Sequence, residues 1–297
     1  LAVENLVTIC RRVFTGYWGP RTDDLMRAVC LTLIAQPTPR TLADLPALLT
    51  NPDVRARAQR AIAADAVLRG FWTSYNRLSE PARAVIIAPL MNRIRALLLR
   101  PYARTLLTGQ PSATSSAGLR TAAARGPVDV GRVLDGGILL ARIPKGSLGE
   151  EATRIVGSLI VAHTWTAATA RARIPQHQRR DAALVIDECH NFLNLPYSID
   201  DLLAEARGLR LSLTLAHQNL AQLPPELRAG ITANARNKLI FTVGADDARD
   251  LARHTNPHLD DYDLAHLDAF HAAARLLDHG ALTLAFTLRT RPLPPPR

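Results

Sequence analysis

The sequence predicts an α/β fold in its C-terminal half, a parallel sheet flanked by helices, preceded by an all-α region. Three observations predict it. From about residue 128 onward, short apolar runs alternate with amphipathic stretches, the pattern of strands joined by crossover helices. Within that half, residues 182–186 form an unbroken apolar run, Ala-Ala-Leu-Val-Ile, as expected of a strand covered on both faces. Up to about residue 107, in contrast, the apolar residues recur at helical spacing.

Taken in order, Val3, Leu6, Val7, Cys10, Val13 and Phe14 mark a first helix over 2–14. After the turn Gly16–Pro20, Thr22 is the expected cap of a second helix, with Asp23 and Asp24 at its positive end. Pro37 and Pro39 stop that helix. Thr41 and Asp44 have the spacing of a capping box for a short helix over 42–49. One helix is expected over 52–69, followed by the aromatic stretch Phe71–Tyr75. Ser79-Glu80-Pro81 opens another, kinked at Pro89. Residues 108–127, rich in Ser, Thr, Gly and Ala, read as a flexible linker. Three segments follow from this: a helical region over 1–107, the linker, and an α/β core over 128–297. In that core, strands are expected at 137–143, 182–188, 211–216 and 238–243. Helices are expected at about 149–172, 198–208, 224–235 and 245–254. A hairpin over 272–290 turns at His279-Gly280.

The 297 residues can bury one large core or two smaller ones. Basic residues outnumber acidic ones 36 to 26, a net charge of +10, and only Lys145 and Lys238 are lysines. Such a surplus points to a phosphate-rich partner or an anionic surface, and equally to an Arg-rich coding bias. Cys10, Cys30 and Cys189 are too few and too scattered for a disulfide framework or a zinc site, so a reducing compartment is expected. His254 and His258 have helical metal-ligand spacing, but Asn256 and Pro257 interrupt it, and they read as surface histidines. No apolar run approaches the roughly 18–20 residues that span a bilayer, and no signal peptide is expected.

The chemistry concentrates after the 182–186 run, which ends in Asp187 and Glu188. Two carboxylates at the end of a buried strand are costly unless that end opens on a cleft with cations or water. In open α/β sheets the ligand crevice lies at the carboxyl ends of the strands. This is the layout of a Walker B strand, whose first acid serves Mg²⁺ and whose second polarises water. Gly208 is the expected cap of the next helix, with Arg207 projecting beside it. The neighbouring strand ends in His217-Gln218, placing an uncharged amide beside the acids. Asn234-Ala235-Arg236-Asn237-Lys238 leads into the following strand. Arg207 as a dipole-favoured cation, Gln218 as a loop amide and Asn234 as a helix cap are the plain readings of each residue taken singly. Together, acid pair, arginine and glutamine at the ends of consecutive βα units outweigh them.

Leu-Val-Ile-Asp-Glu-Cys-His-Asn-Phe, Leu-Leu-Ala-Glu-Ala-Arg-Gly-Leu-Arg-Leu, Leu-Ala-His-Gln-Asn-Leu-Ala-Gln-Leu and Ala-Asn-Ala-Arg-Asn-Lys-Leu-Ile-Phe resemble the C-terminal half of the FtsK/HerA superfamily. Within it they are most similar to conjugative type IV secretion ATPases of the TraG/TraD-like coupling kind. The match is dense over 182–254 and looser over 128–172, and the helical region resembles the all-α insert of that family. The resemblance implies a RecA-like motor, a homo-hexameric ring that binds ATP and Mg²⁺ and moves DNA without sequence preference. It also implies secretion-channel or relaxosome partners and a cytoplasmic position at the inner face of the membrane, reached through regions outside this chain. By the same resemblance, Asp187 holds Mg²⁺, Glu188 activates water and Gln218 senses the γ-phosphate. Arg207 is the candidate finger toward a neighbouring subunit, with Arg210 and Arg236 as alternatives.

One departure matters. A P-loop needs Gly-Lys before Ser or Thr, and Lys145 follows Pro144 while Lys238 follows Asn237, so no Gly-Lys pair exists in these residues. The non-Met start and the matching downstream half place the expected P-loop upstream of Leu1. Two other readings stay open. One is a non-catalytic adaptor or degenerate ATPase that binds a secretion or relaxosome partner. The other is a DExH helicase fragment, which lacks its Ser/Thr-Ala-Thr segment because Ala216-His217-Gln218 stands there.

Overall fold

In the computed structural model, residues 1–38, 40–109 and 128–294 are described. They divide into two compact units, one of 1–182 with 191–196 and one of 183–190 with 197–297.

The first unit is helical. Its first helix, Ala2–Val13, buries Val3, Val7, Ile9, Cys10 and Val13 and packs against both Pro20–Ile34 and the long helix Glu150–Ala170. The second helix starts at Pro20 behind Gly19, not at a Thr22 cap; Thr22 lies inside it and is buried. Proline at the first position already has helical φ and lacks an N–H that would go unpaired, so no side-chain cap is required. The Thr41–Asp44 capping box forms, on a single 3-10 turn that leads into the helix Leu45–Thr50.

The helix expected over 52–69 is two helices, Pro52–Ala61 and Ala66–Arg77. Asp65 divides them, because its carboxylate accepts from Val67 N and Leu68 N at 3.0 Å and caps a fresh start. The aromatic stretch is thereby helical and its rings face the core. Trp72 is buried, with Nε1 donating to Thr32 Oγ1 at 2.8 Å, and Tyr75 Oη donates to Leu49 O at 3.0 Å. Arg55, 4% exposed, is the charged residue at the centre of this packing. Its guanidinium donates to Asn76 Oδ1 at 2.8 Å and Leu49 O at 3.1 Å and lies over the Tyr75 ring. It thus satisfies carbonyls at the end of Leu45–Thr50 that the helix itself leaves open.

Glu80–Leu98 carries Pro89 within it, and Pro101–Thr108 ends on left-handed Gly109. Most of the expected linker, 110–127, lies outside the described residues. The strand expected over 137–143 is absent. The segment has no regular structure and leaves Ile138 88% and Leu140 91% exposed. An apolar run becomes a strand only when another strand pairs with it, and none of the described residues does so. Among the described residues no helix is long and apolar enough to cross a membrane.

The second unit holds the sheets. Strands β1 (Ala182–Ile186) and β2 (Leu211–Leu215) are hydrogen-bonded neighbours joined by the helix Ile199–Ala206. They form the expected parallel pair, extended past the strand ends by Ala216 N to Ile186 O at 2.9 Å. The third strand departs from expectation. β3 (Lys238–Ile240) joins β4 (His271–Arg275) and β7 (Phe286–Arg289) in an antiparallel sheet. The short strands β5 (Leu277–Asp278) and β6 (Ala281–Leu282) make the hairpin at His279-Gly280, both of positive φ. One face of the antiparallel sheet, through Ile240 and Ala273, packs on Ala248 and Ala252 of the helix Ala245–Ala252 and on Leu264.

Lys238 sits at the end of the helix Pro225–Asn234, with Nζ donating to Ala235 O at 2.6 Å and Thr232 O at 3.3 Å. Arg275, its partner across the ladder, donates to His254 O at 3.1 Å. Each cation closes the carbonyl end of a helix, which offsets the repulsion of like charges placed opposite one another. His254 is half-buried rather than on the surface. Burial, with Lys238, Arg253 and Arg275 nearby, pushes its imidazole down to about 4.

Two outcomes follow. Arg55→Leu should destabilise the helical unit by about 2–3 kcal/mol, since it strips buried carbonyls of their donor, read from urea unfolding monitored by tryptophan fluorescence. The sign for His254 is set by its lowered value: the unfolded chain takes up a proton near the ordinary histidine range and the folded chain does not. Stability of the second unit should therefore be full above pH ~6.5 and fall as pH drops toward 4. His254→Gln should flatten that part of the pH–stability curve.

Candidate functional site

The site is built at the carboxyl ends of β1 and β2. Ile186, 5% exposed, is the last apolar residue of β1, and the backbone then turns sharply. Glu188 has φ +49, in the left-handed region. As a result the ladder is closed by Cys189, whose N–H donates to Ala216 O at 2.9 Å, while Glu188 N–H turns back to Asp187 Oδ1 at 3.0 Å. A glutamate held in that region stores strain of roughly 1–3 kcal/mol, a feature that clusters at functional sites.

The two acids are thereby separated in role. Asp187 is exposed and uses only Oδ1 in the bond to its neighbour's backbone. Glu188 is partly buried, and its Oε1 accepts from Gln218 Nε2 at 2.6 Å. The chain therefore brings Glu188 and Gln218 together although thirty positions separate them. His190 Nδ1 lies 3.6 Å from Glu188 Oε2. Gln218 is fixed from behind: its backbone N–H donates to Gln222 Oε1 at 3.3 Å, within the capped turn Leu220–Gln222, and Leu220 N donates to Asp247 Oδ2 at 2.9 Å.

Cys189 is fully buried, and burial, reinforced by Glu188 and Asp187, pushes its thiol up to about 11. It anchors the turn as a small buried side chain. Among the described residues no group of three or more His, Cys, Asp and Glu is arranged to hold a metal. What Asp187 offers is a single hard carboxylate.

The remaining sequence candidates lie apart from this contact. Arg207 is the residue just past the helix Ile199–Ala206, right-handed and exposed. The left-handed residue of that turn is Arg210, φ +55, and not Gly208, so the expected glycine cap is absent. The chain spends four residues in the turn, and the residue that reverses into β2 is the one that must cross φ = 0. Arg236 is also exposed. Asn234 is the last residue of its helix rather than the cap, and its Nδ2 donates to Asp200 Oδ1 at 2.6 Å and Gly230 O at 3.1 Å. That bond ties Pro225–Asn234 to the start of Ile199–Ala206. Gly230 makes the approach possible, since a Cβ there would meet Ile199 Cγ2 at 2.5 Å.

No family model matches the sequence, and no curated protein sequence does. Solved structures do match. The plasmid coupling protein TrwB bound to the GTP analogue GDPNP superposes with TM-score 0.60 at 14% identity, over 96% of this chain and 67% of that one. The same protein bound to ADP and Mg²⁺ gives 0.60 and 13% with the same coverage, and bound to the ATP analogue ADPNP 0.60 and 15%.

The fold is that of TrwB. TrwB is a bacterial conjugative coupling protein, in keeping with the resemblance drawn from the motifs. The α/β RecA-like class with an all-α region follows from that fold. This chain spans about two thirds of the TrwB chains it matches.

The strain at Glu188 gives a test of the site's construction. Glu188→Gly relieves the left-handed backbone and should leave the unit as stable as the native chain or up to ~1 kcal/mol more stable. Glu188→Ala keeps the strain and should show no such gain, with both read from denaturant midpoints.

Proposed function

We propose that this chain supplies the Walker B half of an ATP-driven motor of the conjugative coupling type, one that moves DNA. The observation that carries the proposal is the Glu188–Gln218 contact beside Asp187, at the carboxyl ends of two parallel strands, in a fold whose solved examples hold nucleotide and Mg²⁺. Asp187 would hold the Mg²⁺. A lone hard carboxylate suits that ion, which binds through one or two carboxylates plus phosphate oxygens and waters. When bound, the ion neutralises charge on the phosphates.

The chain's own groups do the rest. Glu188 orients and polarises the attacking water, its carboxylate fixed by Gln218. The Gln218 amide has two hydrogens and spends one on Glu188, which leaves one for a γ-phosphate oxygen. Arg207 is exposed, as a finger acting on a neighbouring subunit of a homo-hexamer must be, and Arg210 and Arg236 remain alternatives in that role. Charge favours the helical unit as the one to meet DNA phosphates. It carries 25 Arg and Lys against 12 Asp and Glu, a surplus of +13, whereas the second unit carries 11 against 14, or −3. Of the arginines on its later helices, Arg93 is paired with Glu151 and Arg100 is spent on Leu148 O, whereas Arg95 is exposed. Secretion or relaxosome proteins and a place at the inner face of the membrane belong to the same proposal.

Without a Gly-Lys pair these residues do not cradle phosphate unaided. Incubation with Mg·ATP should give no sustained phosphate release, and turnover abolished by Glu188→Gln would overturn the half-site reading. Duplex DNA should bind weakly, without base preference, and with an affinity that falls steeply as salt rises. A salt-independent or sequence-selective association would refute the motor reading.

A further inference from the structure

Two cations face each other across the antiparallel sheet. Lys238 in β3 and Arg275 in β4 are direct ladder partners, a like-charge pairing that costs stability unless something offsets it. Alternate residues of a strand share a face, so both side chains stand on the face of Ile240 and Ala273, at the end of that packed core. The helix Ala245–Ala252 packs on the same face, and just beyond it His254 O accepts from Arg275 Nη1 at 3.1 Å. Three basic side chains, from two strands and a helix end, thereby share one place in the fold. They do so in a unit whose net charge is −3.

Helix capping is the plain competing role, and it does not use all that is there. Lys238 Nζ donates to Ala235 O and Thr232 O, which takes two of its three hydrogens, and Arg275 spends one of its five N–H donors on His254 O. The end of a helix carries about half a negative charge, so two ends return about one charge against the two placed there. Among the described residues neither Lys238 nor Arg275 has an acidic partner, whereas Arg253, the further cation near His254, is paired with Asp250 at 3.5 Å. Burial, with Arg275 beside it, holds the Lys238 ammonium below its ordinary value, as expected of a cation short of a counter-charge. All three side chains are partly exposed, so a ligand can reach them.

We propose that Lys238, Arg275 and His254 form a binding site for a phosphate group, with the third Lys238 hydrogen and the unspent Arg275 donors holding its oxygens and the His254 ring giving one further N–H. A backbone phosphate of DNA and a free phosphate ion present the same oxygens, and an arginine fork suits both. The site does not rest on the reading of Asp187 and Glu188. Asp247, which braces the turn of Gln218, lies in the first turn of the helix Ala245–Ala252, and His254 follows its last, roughly 10 Å further along.

The test is a titration of the whole chain with inorganic phosphate at about pH 7, above the ordinary histidine value, against sodium chloride of matched ionic strength. It is followed by NMR on the Arg275 Nε–H and the His254 ring, identified by their loss in Arg275→Gln and His254→Gln. Both signals should move together and saturate with phosphate, and chloride should leave them in place. In Lys238→Gln the apparent Kd should rise at least ~10-fold, the loss of one charge-assisted contact. No saturable shift in the native chain, a shift that chloride reproduces, or an unchanged Kd in the folded Lys238→Gln chain would sink the proposal. If that variant does not fold, Arg275→Gln, which keeps an amide to give to His254 O, is read through the His254 ring by the same criterion.

A short DNA strand of mixed sequence then separates the two sources. If it moves the same signals and displaces inorganic phosphate, the site takes a backbone phosphate; if phosphate alone moves them, it takes the free ion. Either result upholds the site, and neither depends on phosphate release from ATP.

Discussion

The left-handed backbone at Glu188 is the constraint on which the site depends. A regular strand would carry Asp187 and Glu188 to opposite faces of the sheet and would spend the Glu188 N–H on β2. With φ at +49 the ladder skips a residue, Cys189 takes the bond to Ala216 O, and Glu188 is left facing the tip of β2, where Gln218 meets it. Neighbouring acids thus acquire different surroundings: Asp187 open to solvent, Glu188 partly enclosed.

Strain of that kind persists only where the surroundings over-determine it. Ile186 and Cys189, both buried, bracket the strained residue, and Leu211 at the start of β2 is 3% exposed. The apolar side chains on either side hold the backbone while the carboxylate projects between them. The buried thiol, pushed up to about 11, is part of this anchoring. Its burial explains why a cysteine next to two carboxylates behaves as a small apolar residue.

Much of this was legible in the sequence, for a definite reason. An apolar run that ends in polar residues marks the end of a strand, and consecutive strands of a βαβ unit lie side by side, which brings Glu188 and Gln218 into reach; the expected cover on both faces is not found, since Val185 in β1 is 68% exposed and of that strand only Ile186 is buried. What eluded the sequence depended on partners. Residues 137–143 have the composition of a strand but no neighbour among the described residues, and β3 reads like β1 and β2 yet pairs antiparallel with β4 because the C-terminal hairpin reaches it. The break at Asp65 is hidden in the sequence because periodicity runs on across a cap. Nothing in spacing shows that the His190 ring comes to 3.6 Å from Glu188 Oε2. Arg210 for Gly208 is the same lesson, a special backbone position taken by a residue that composition does not flag.

The surroundings of Gln218 bear on how such a site responds to its ligand. Its backbone is tied to Gln222 and, through Leu220, to Asp247 on the helix Ala245–Ala252, so the amide is presented from a braced turn. On the proposed reading, a side chain so placed, with one hydrogen on Glu188 and a second still to give, would couple base and ligand through a single group: pulling it toward a bound phosphate would loosen its hold on Oε1.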